Sequence, residues 1–385
     1  MAIEKLVAAS LEELHTHRSE KWRGFPSDVL PLPVAEMDFP IAAPIKEILL
    51  QMVSDSDLGY LGSIPELGIN FAHFAAARWN WQVDPLQVRL ATDVGVAAVE
   101  VLRAITQPGD RILINSPIYQ NFYNWINEVK LEKVDVPFTQ SAHGWELDFA
   151  AVEGAYQSGI KVHMLCSPHN PLGRVFSAIE LDRFAELAAK YSVLIISDEI
   201  HAPLTYSEKP FIPFLGRNDL ADSVGICITS ASKAWNMAGL KCAIIVTANK
   251  ILHQTLEKMP MSVHYRASLL GAFASAVAFA EGEGWLDQAI TTLDHNRKFL
   301  KQELALHLPK IKFAIPESSY LAWLDLSDLN LGENPADLLL EKGRVALNPG
   351  SIYGEQSSQF VRFNFATSPE IISEAIARMV KAVQE

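Results

Sequence analysis

Cysteine is scarce in this chain, with three among 385 residues, at positions 166, 227 and 242. Each falls inside or beside a stretch read as a strand. That distribution excludes a disulfide frame and suits reduced core residues in a cytoplasmic protein. Positive charge is also in deficit: 32 Lys and Arg face 45 Asp and Glu, a formal net charge of -13. That balance argues against a nucleic-acid partner, because phosphate backbones require clustered cations. Long apolar runs are missing too. The most apolar stretch, Ala267 to Ala280, is shorter than the roughly 20 residues a membrane-spanning helix needs, so it predicts a buried helix and no membrane partner. The segment from Met1 to Glu13 is too acidic and too briefly apolar for a signal peptide.

What remains is a chain that is 49% hydrophobic and 20% charged, enough for a large core. Residues 1–45 carry five prolines and no sustained period, which predicts an extended arm with one short helix that wraps a neighbour. Helices follow over about 44–53 and 65–79, with a glycine-bracketed turn at Gly59-Tyr60-Leu61-Gly62 between them. From there strands alternate with helices, the mark of a parallel sheet covered on both faces. The clearest strands are 88–92, 111–116, 162–166, 193–197, 224–228 and 243–247, with helical patterns near 95–106, 178–190 and 251–259. A long helix over 285–307, strands near 311–315, 320–325 and 360–365, and a helix over 369–383 predict a smaller second domain. The expected division is 1–45 as arm, 46–282 as large domain and 283–385 as small domain.

In open sheets of this type, ligands bind outside the carboxyl ends of the strands. After the first strand comes Asp93-Val94-Gly95-Val96, a strand–glycine–helix turn whose free backbone N–H groups suit a phosphate. After the second stands Tyr119, a ring that can stack on a flat heterocycle. The third leads to Asn170-Pro171-Leu172-Gly173, the fourth to Asp198 and His201, and the fifth to Ser230, Ser232 and Lys233, with Lys241 further on. A lysine at that place can be desolvated and nucleophilic toward an aldehyde, which is what a pyridoxal phosphate enzyme requires. Each member alone has a plainer explanation. Lys233 fits a surface turn, Gly95 opens many βα turns, Tyr119 fits a half-buried core ring, Asp198 a cap and His201 a satisfied core histidine. Their joint occurrence at one sheet edge is what carries weight. The segment from Val34 to Pro40 suits a substrate-site loop or a linker, and pattern alone favours the linker.

With these residues in view, the chain resembles fold type I pyridoxal phosphate enzymes, the aspartate aminotransferase superfamily, and within it MalY/PatB-type cystathionine β-lyases. The resemblance is carried by Ala35-Glu36-Met37-Asp38-Phe39, Gly59-Tyr60, Pro108-Gly109-Asp110, Asn170-Pro171-Leu172-Gly173, Ser197-Asp198-Glu199-Ile200-His201, Ser232-Lys233, Ala238-Gly239-Leu240 and Arg362-Phe363-Asn364. It implies an α/β fold with a mostly parallel seven-stranded sheet plus a smaller α/β domain, and pyridoxal 5'-phosphate as cofactor. By resemblance Lys233 carries the cofactor and moves the substrate's Cα proton, Asp198 pairs with the pyridine nitrogen, and Asn170 meets the ring oxygen with His201 nearby. Tyr119 stacks on the ring, while Gly95, Val96, Ser230, Ser232 and Lys241 hold the phosphate. Tyr60 reaches the phosphate from a second subunit, implying a homodimer with shared active sites. Arg362 clasps the carboxylate of a small amino-acid substrate, with Met37 and Asp38 beside it. The implied reaction is α,β-elimination from L-cystathionine or related cysteine S-conjugates to a thiol, pyruvate and ammonia. The alternatives are transamination with a keto acid and a regulatory binding role. Pro33, Glu36 and Ala234-Trp235 depart from the lyase pattern, and Lys241 stands where aminotransferases commonly carry Arg.

Overall fold

The computed structural model describes residues 3–141 and 144–384. Runs such as Val162–Cys166 and Gly225–Thr229 are buried at every position, as strands covered on both faces must be. They lie inside a seven-stranded sheet ordered Val88–Ala91, Ala243–Val246, Gly225–Thr229, Leu194–Asp198, Val162–Cys166, Arg111–Ile114, Glu132–Asp135. Ala243–Val246 runs antiparallel to both neighbours, and all other pairs are parallel. The expected mostly parallel sheet is therefore present. Alternate residues feed two cores. Met164, Cys166, Ile196 and Ile226 pack with Ala97, Ala98 and Val101 of the helix Val94–Ile105. Leu165, Ile195 and Cys227 join Leu181, Phe184 and Leu187 of the helix Ala178–Tyr191 on the opposite face.

The edge strand Glu132–Asp135 was not anticipated. Its exposed Glu132 and Lys133 leave no apolar alternation to detect, and an edge strand needs none on its open side. The expected buried helix is present as Leu269–Glu281, lying against Pro65–Trp79 and Ala43–Ser54. Its Gly271 permits close approach to the turn that precedes Lys241, since a Cβ there would sit 2.0 Å from the Leu240 carbonyl oxygen. Among the described residues no helix is long and apolar enough to cross a membrane.

A second, antiparallel sheet is ordered Lys312–Phe313, Leu321–Asp325, Phe360–Asn364, Asn348–Pro349. The helix Glu283–His307 packs against the C-terminal helix Pro369–Gln384 beside it. The N-terminal segment contains two short helices, Leu11–Leu14 and Glu20–Arg23, rather than one. It is also tied to its own chain: Leu30–Pro31 pairs with Val345–Ala346, and the Asp38 N–H donates to the Ala366 carbonyl at 2.9 Å.

Asp38, expected beside the substrate, is instead buried with both oxygens engaged, by Lys21 Nζ at 2.8 Å and Trp22 Nε1 at 3.0 Å. The partner lysine lies 17 residues upstream, too far for local pattern to reveal. Met37 is buried as well, its N–H and carbonyl both bonded at 2.8 Å by the Asn236 side-chain amide. Because removing one member of a buried pair strands the other charge, Lys21→Met is expected to destabilise the fold by about 3–5 kcal/mol. Urea unfolding of wild type and variant measures it, and an unchanged midpoint would contradict the assignment.

Candidate active site

The strand ends converge as the topology requires. A cavity of about 530 Å³ opens beyond them, lined by Gly95, Tyr119, Asn170, Asp198, His201, Ser232, Lys233, Lys241 and Arg362 among others. Asp198 is the last residue of its strand, and Lys233 lies in the turn after Gly225–Thr229. Asn170 and Tyr119 stand in the loops after Val162–Cys166 and Arg111–Ile114, while Gly95 lies in the first turn of Val94–Ile105. Arg362 arrives from the second sheet, so both sheets contribute to one wall.

The segment that pattern alone reads as a linker is part of this site. Lys233 Nζ donates to the Ala35 carbonyl at 2.9 Å, and the Tyr320 hydroxyl donates to the same oxygen at 2.9 Å. Asn364 fixes the loop by donating to the Val34 and Glu36 carbonyls, each at 2.7 Å. Arg362 donates to the Pro33 carbonyl at 2.8 Å and to Asn170 Oδ1 at 3.2 Å. Its Nε has no partner, and its guanidinium lies 5.2 Å from the centroid of the Tyr353 ring. With Asn170 Oδ1 accepting from Arg362, the amide N–H groups are that side chain's remaining donors.

Burial, then the charge of Arg362, lowers the Lys233 amine to about 8, against the opposing pull of Glu36 and Asp198. Burial pushes Asp198 up to about 7, although the Ile200 N–H and the Lys233 charge both work to keep it ionised. His201 is held down to about 3 by burial and by Lys233 and Arg362, so the imidazole is neutral near pH 7. Its Nδ1 is buried without a partner. Burial also raises Tyr119, whose hydroxyl accepts from Asn121 at 2.7 Å.

At the Gly95 end the expected anion contacts are only partly available. The Val96 N–H donates to Asp93 Oδ1 at 2.8 Å, and Lys241 Nζ donates to Asp93 Oδ2 at 3.0 Å. The Ser230 hydroxyl turns away, donating to the Cys242 carbonyl at 2.6 Å, and accepts from the Ser232 N–H at 3.0 Å. Tyr60 is 99% exposed and is not among the residues lining the cavity. Sequence reasoning missed Trp125, Asn348 and the role of Asp93 as lining residues. Trp125 was hidden because the helix Asn121–Glu128 that carries it was not recognised.

A buried carboxylate, a desolvated amine, free amide donors, a flat ring and a helix N-terminus together match the needs of a phosphorylated, electron-accepting heterocyclic aldehyde. His201 and Arg362, both lining the cavity, each carry one buried side-chain nitrogen without a partner, His201 Nδ1 and Arg362 Nε.

Comparison with known proteins agrees. The chain is 35% identical to cystathionine beta-lyase of Corynebacterium glutamicum, covering 97% of this chain and 99% of that one. A Corynebacterium diphtheriae structure, provisionally described as a PLP-dependent beta-cystathionase, superposes with a TM-score of 0.94 at 32% identity, covering 99% of each chain. The PLP-bound C-S lyase from Staphylococcus hominis superposes with a TM-score of 0.90 at 26% identity, covering 100% of this chain and 99% of that one. The model of the family "Aminotransferase class I and II" matches residues 30–379, and the chain belongs to that family.

Proposed function

We propose that this chain is a pyridoxal-phosphate-dependent carbon–sulfur β-lyase that converts L-cystathionine, or a related cysteine S-conjugate, and water to a thiol, pyruvate and ammonia. The observation that carries the reading is the meeting of Lys233, Asp198, Asn170 and Arg362 in one cavity, from four separate segments. The full-length likeness to the C. glutamicum lyase supports this substrate class over others.

Bound pyridoxal phosphate supplies an aldehyde for the amine and a ring that accepts electrons from the substrate's Cα. The chain's own residues do the rest. Lys233, lowered to about 8, has an appreciable neutral fraction near neutral pH and serves to hold the cofactor and then to move the Cα proton. Asp198 offers its carboxylate to the ring nitrogen, which keeps that nitrogen protonated. Tyr119 would support the ring face, and Asn170 would donate to the ring oxygen, with His201 also lining the cavity. Arg362 is placed to take the substrate carboxylate, because it lines the cavity and a carboxylate there would replace the Asn170 oxygen, at 3.2 Å, as acceptor of its guanidinium. Residues 46–282 form the cofactor-binding unit of this reading, with 283–385 and the 1–45 segment closing the site.

A homodimer belongs to the same proposal. Nearly complete exposure of Tyr60, beside the exposed Leu58, supports a second copy covering this edge and lending Tyr60 to its neighbour's phosphate site. Cytoplasmic residence is supported by three buried cysteines that form no disulfide.

The purified holoenzyme is expected to release pyruvate, ammonia and homocysteine in equal amounts from L-cystathionine with no keto acid present. Formation of pyridoxamine phosphate and a keto acid, without pyruvate, would instead assign transamination.

A further inference from the structure

The anion cradle at the start of the helix Val94–Ile105 already contains an anion, and it is a side chain of the chain itself. Asp93 caps this twelve-residue helix through the Val96 N–H, and its second oxygen takes Lys241. These are two of the five donors expected at a phosphate, and a third, Ser230, is turned toward Cys242. Gly95 keeps the space open: a Cβ there would lie 3.3 Å from Asp93 Oδ1 and 3.1 Å from Trp125 Nε1. Asp93 itself lines the cavity.

We propose that Asp93 is an internal competitor for the cofactor's phosphate, engaging the Val96 N–H and Lys241 and weakening the affinity of the site for phosphate-bearing ligands. The inference rests on the reading that this cavity takes pyridoxal phosphate. A phosphate near neutral pH carries close to two negative charges. It must either displace the carboxylate from both donors or share them beside a like charge. The penalty falls on the phosphate end alone, because the ring and aldehyde meet Asp198, Asn170 and Lys233 elsewhere in the cavity. One consequence is a cofactor that exchanges more readily than the donor set by itself would allow.

The test is a titration of cofactor-stripped protein with pyridoxal phosphate and, separately, with pyridoxal, which has the same ring and aldehyde but no phosphate. Binding is read from absorbance of the protein-bound chromophore. Asp93→Asn retains an oxygen for the helix cap and removes the charge. Asp93→Ser does the same with a different side chain, should the first variant fold poorly.

Both variants are expected to bind pyridoxal phosphate at least about tenfold tighter than wild type, with a matching fall in dissociation rate, while pyridoxal affinity stays within about twofold. Added salt is expected to narrow the gap, because the cradle is solvent-accessible and repulsion there is screened. Unchanged or weaker binding of pyridoxal phosphate in both variants would overturn the inference, as would an equal gain for pyridoxal. Failure of wild type to bind pyridoxal phosphate at all would overturn the cofactor reading and this inference together.

Discussion

Replacing Lys233 by alanine is expected to reduce thiol and pyruvate release from L-cystathionine by at least about 10⁴-fold, since in the proposed reaction one amine serves both as cofactor anchor and as proton carrier. The fold is expected to tolerate the change. Lys233 donates one hydrogen bond, to the Ala35 carbonyl, and Tyr320 still donates to that oxygen when the amine is gone. Activity should therefore vanish while the stripped protein stays folded and melts no lower than wild type near pH 7, because burial that lowers the amine is a cost to the fold below about pH 8 which alanine removes. The lowered amine adds a pH signature. Only the neutral amine attacks an aldehyde, and burial together with Arg362 brings that form into the range near pH 8. Capture of pyridoxal phosphate by the stripped protein is expected to accelerate as pH rises through about 8, rather than near the 10.4 of a free lysine. Stopped-flow absorbance measures the rate, and a rate independent of pH from 7 to 9 would contradict the account.

The second large effect concerns Asp198, where stability and activity should move in opposite directions. Burial raises its carboxyl to about 7 in the ligand-free fold, from a value near 3.8 in the unfolded chain. The folded state therefore holds the proton more tightly than the unfolded state does. Stability from this group is fully present below about pH 4 and is lost as pH rises to about 7, at a cost of roughly 4 kcal/mol by pH 8. Asp198→Asn removes that cost and keeps an oxygen for the Ile200 N–H, now 3.2 Å away. The stripped variant should consequently melt above wild type at pH 8, with the difference closing toward pH 4. Turnover should fall by about 10²–10³-fold, because the ring nitrogen loses the negative partner that keeps it protonated. With the cofactor bound as proposed, Asp198 would face a protonated ring nitrogen that offsets its charge, so cofactor binding should stabilise wild type more than the variant. Calorimetric scans of both proteins, with and without cofactor, separate these effects. Equal gains on cofactor addition would count against the Asp198 role.

Much of this site was legible because α/β sheets concentrate function at strand ends, and strand ends are visible as apolar runs followed by glycine, proline or polar residues. Asp198 and Lys233 could be read in that way, and both line the cavity. What was not legible depends on partners distant in sequence. Nothing local to Val34–Pro40 shows that Asn236 and Asn364 will clamp its backbone against Lys233. Asp38 looks like any loop carboxylate until Lys21 and Trp22 are seen to enclose it. Ser230 sits three residues before Lys233, but its hydroxyl turns to the Cys242 carbonyl just before the neighbouring strand Ala243–Val246, a choice set by strand pairing rather than by motif. Strand Glu132–Asp135 escaped notice because charged edge strands lack the apolar signature of central ones.

The central claim is that Lys233 is the amine that takes the cofactor. The most direct measurement is borohydride reduction of the holoenzyme followed by peptide mass mapping. The account predicts a single reduced pyridoxyl phosphate group on the peptide bearing Lys233, and no labelling there when reduction precedes cofactor addition. A label on another lysine, or none on a holoenzyme that retains its cofactor absorbance, would contradict it.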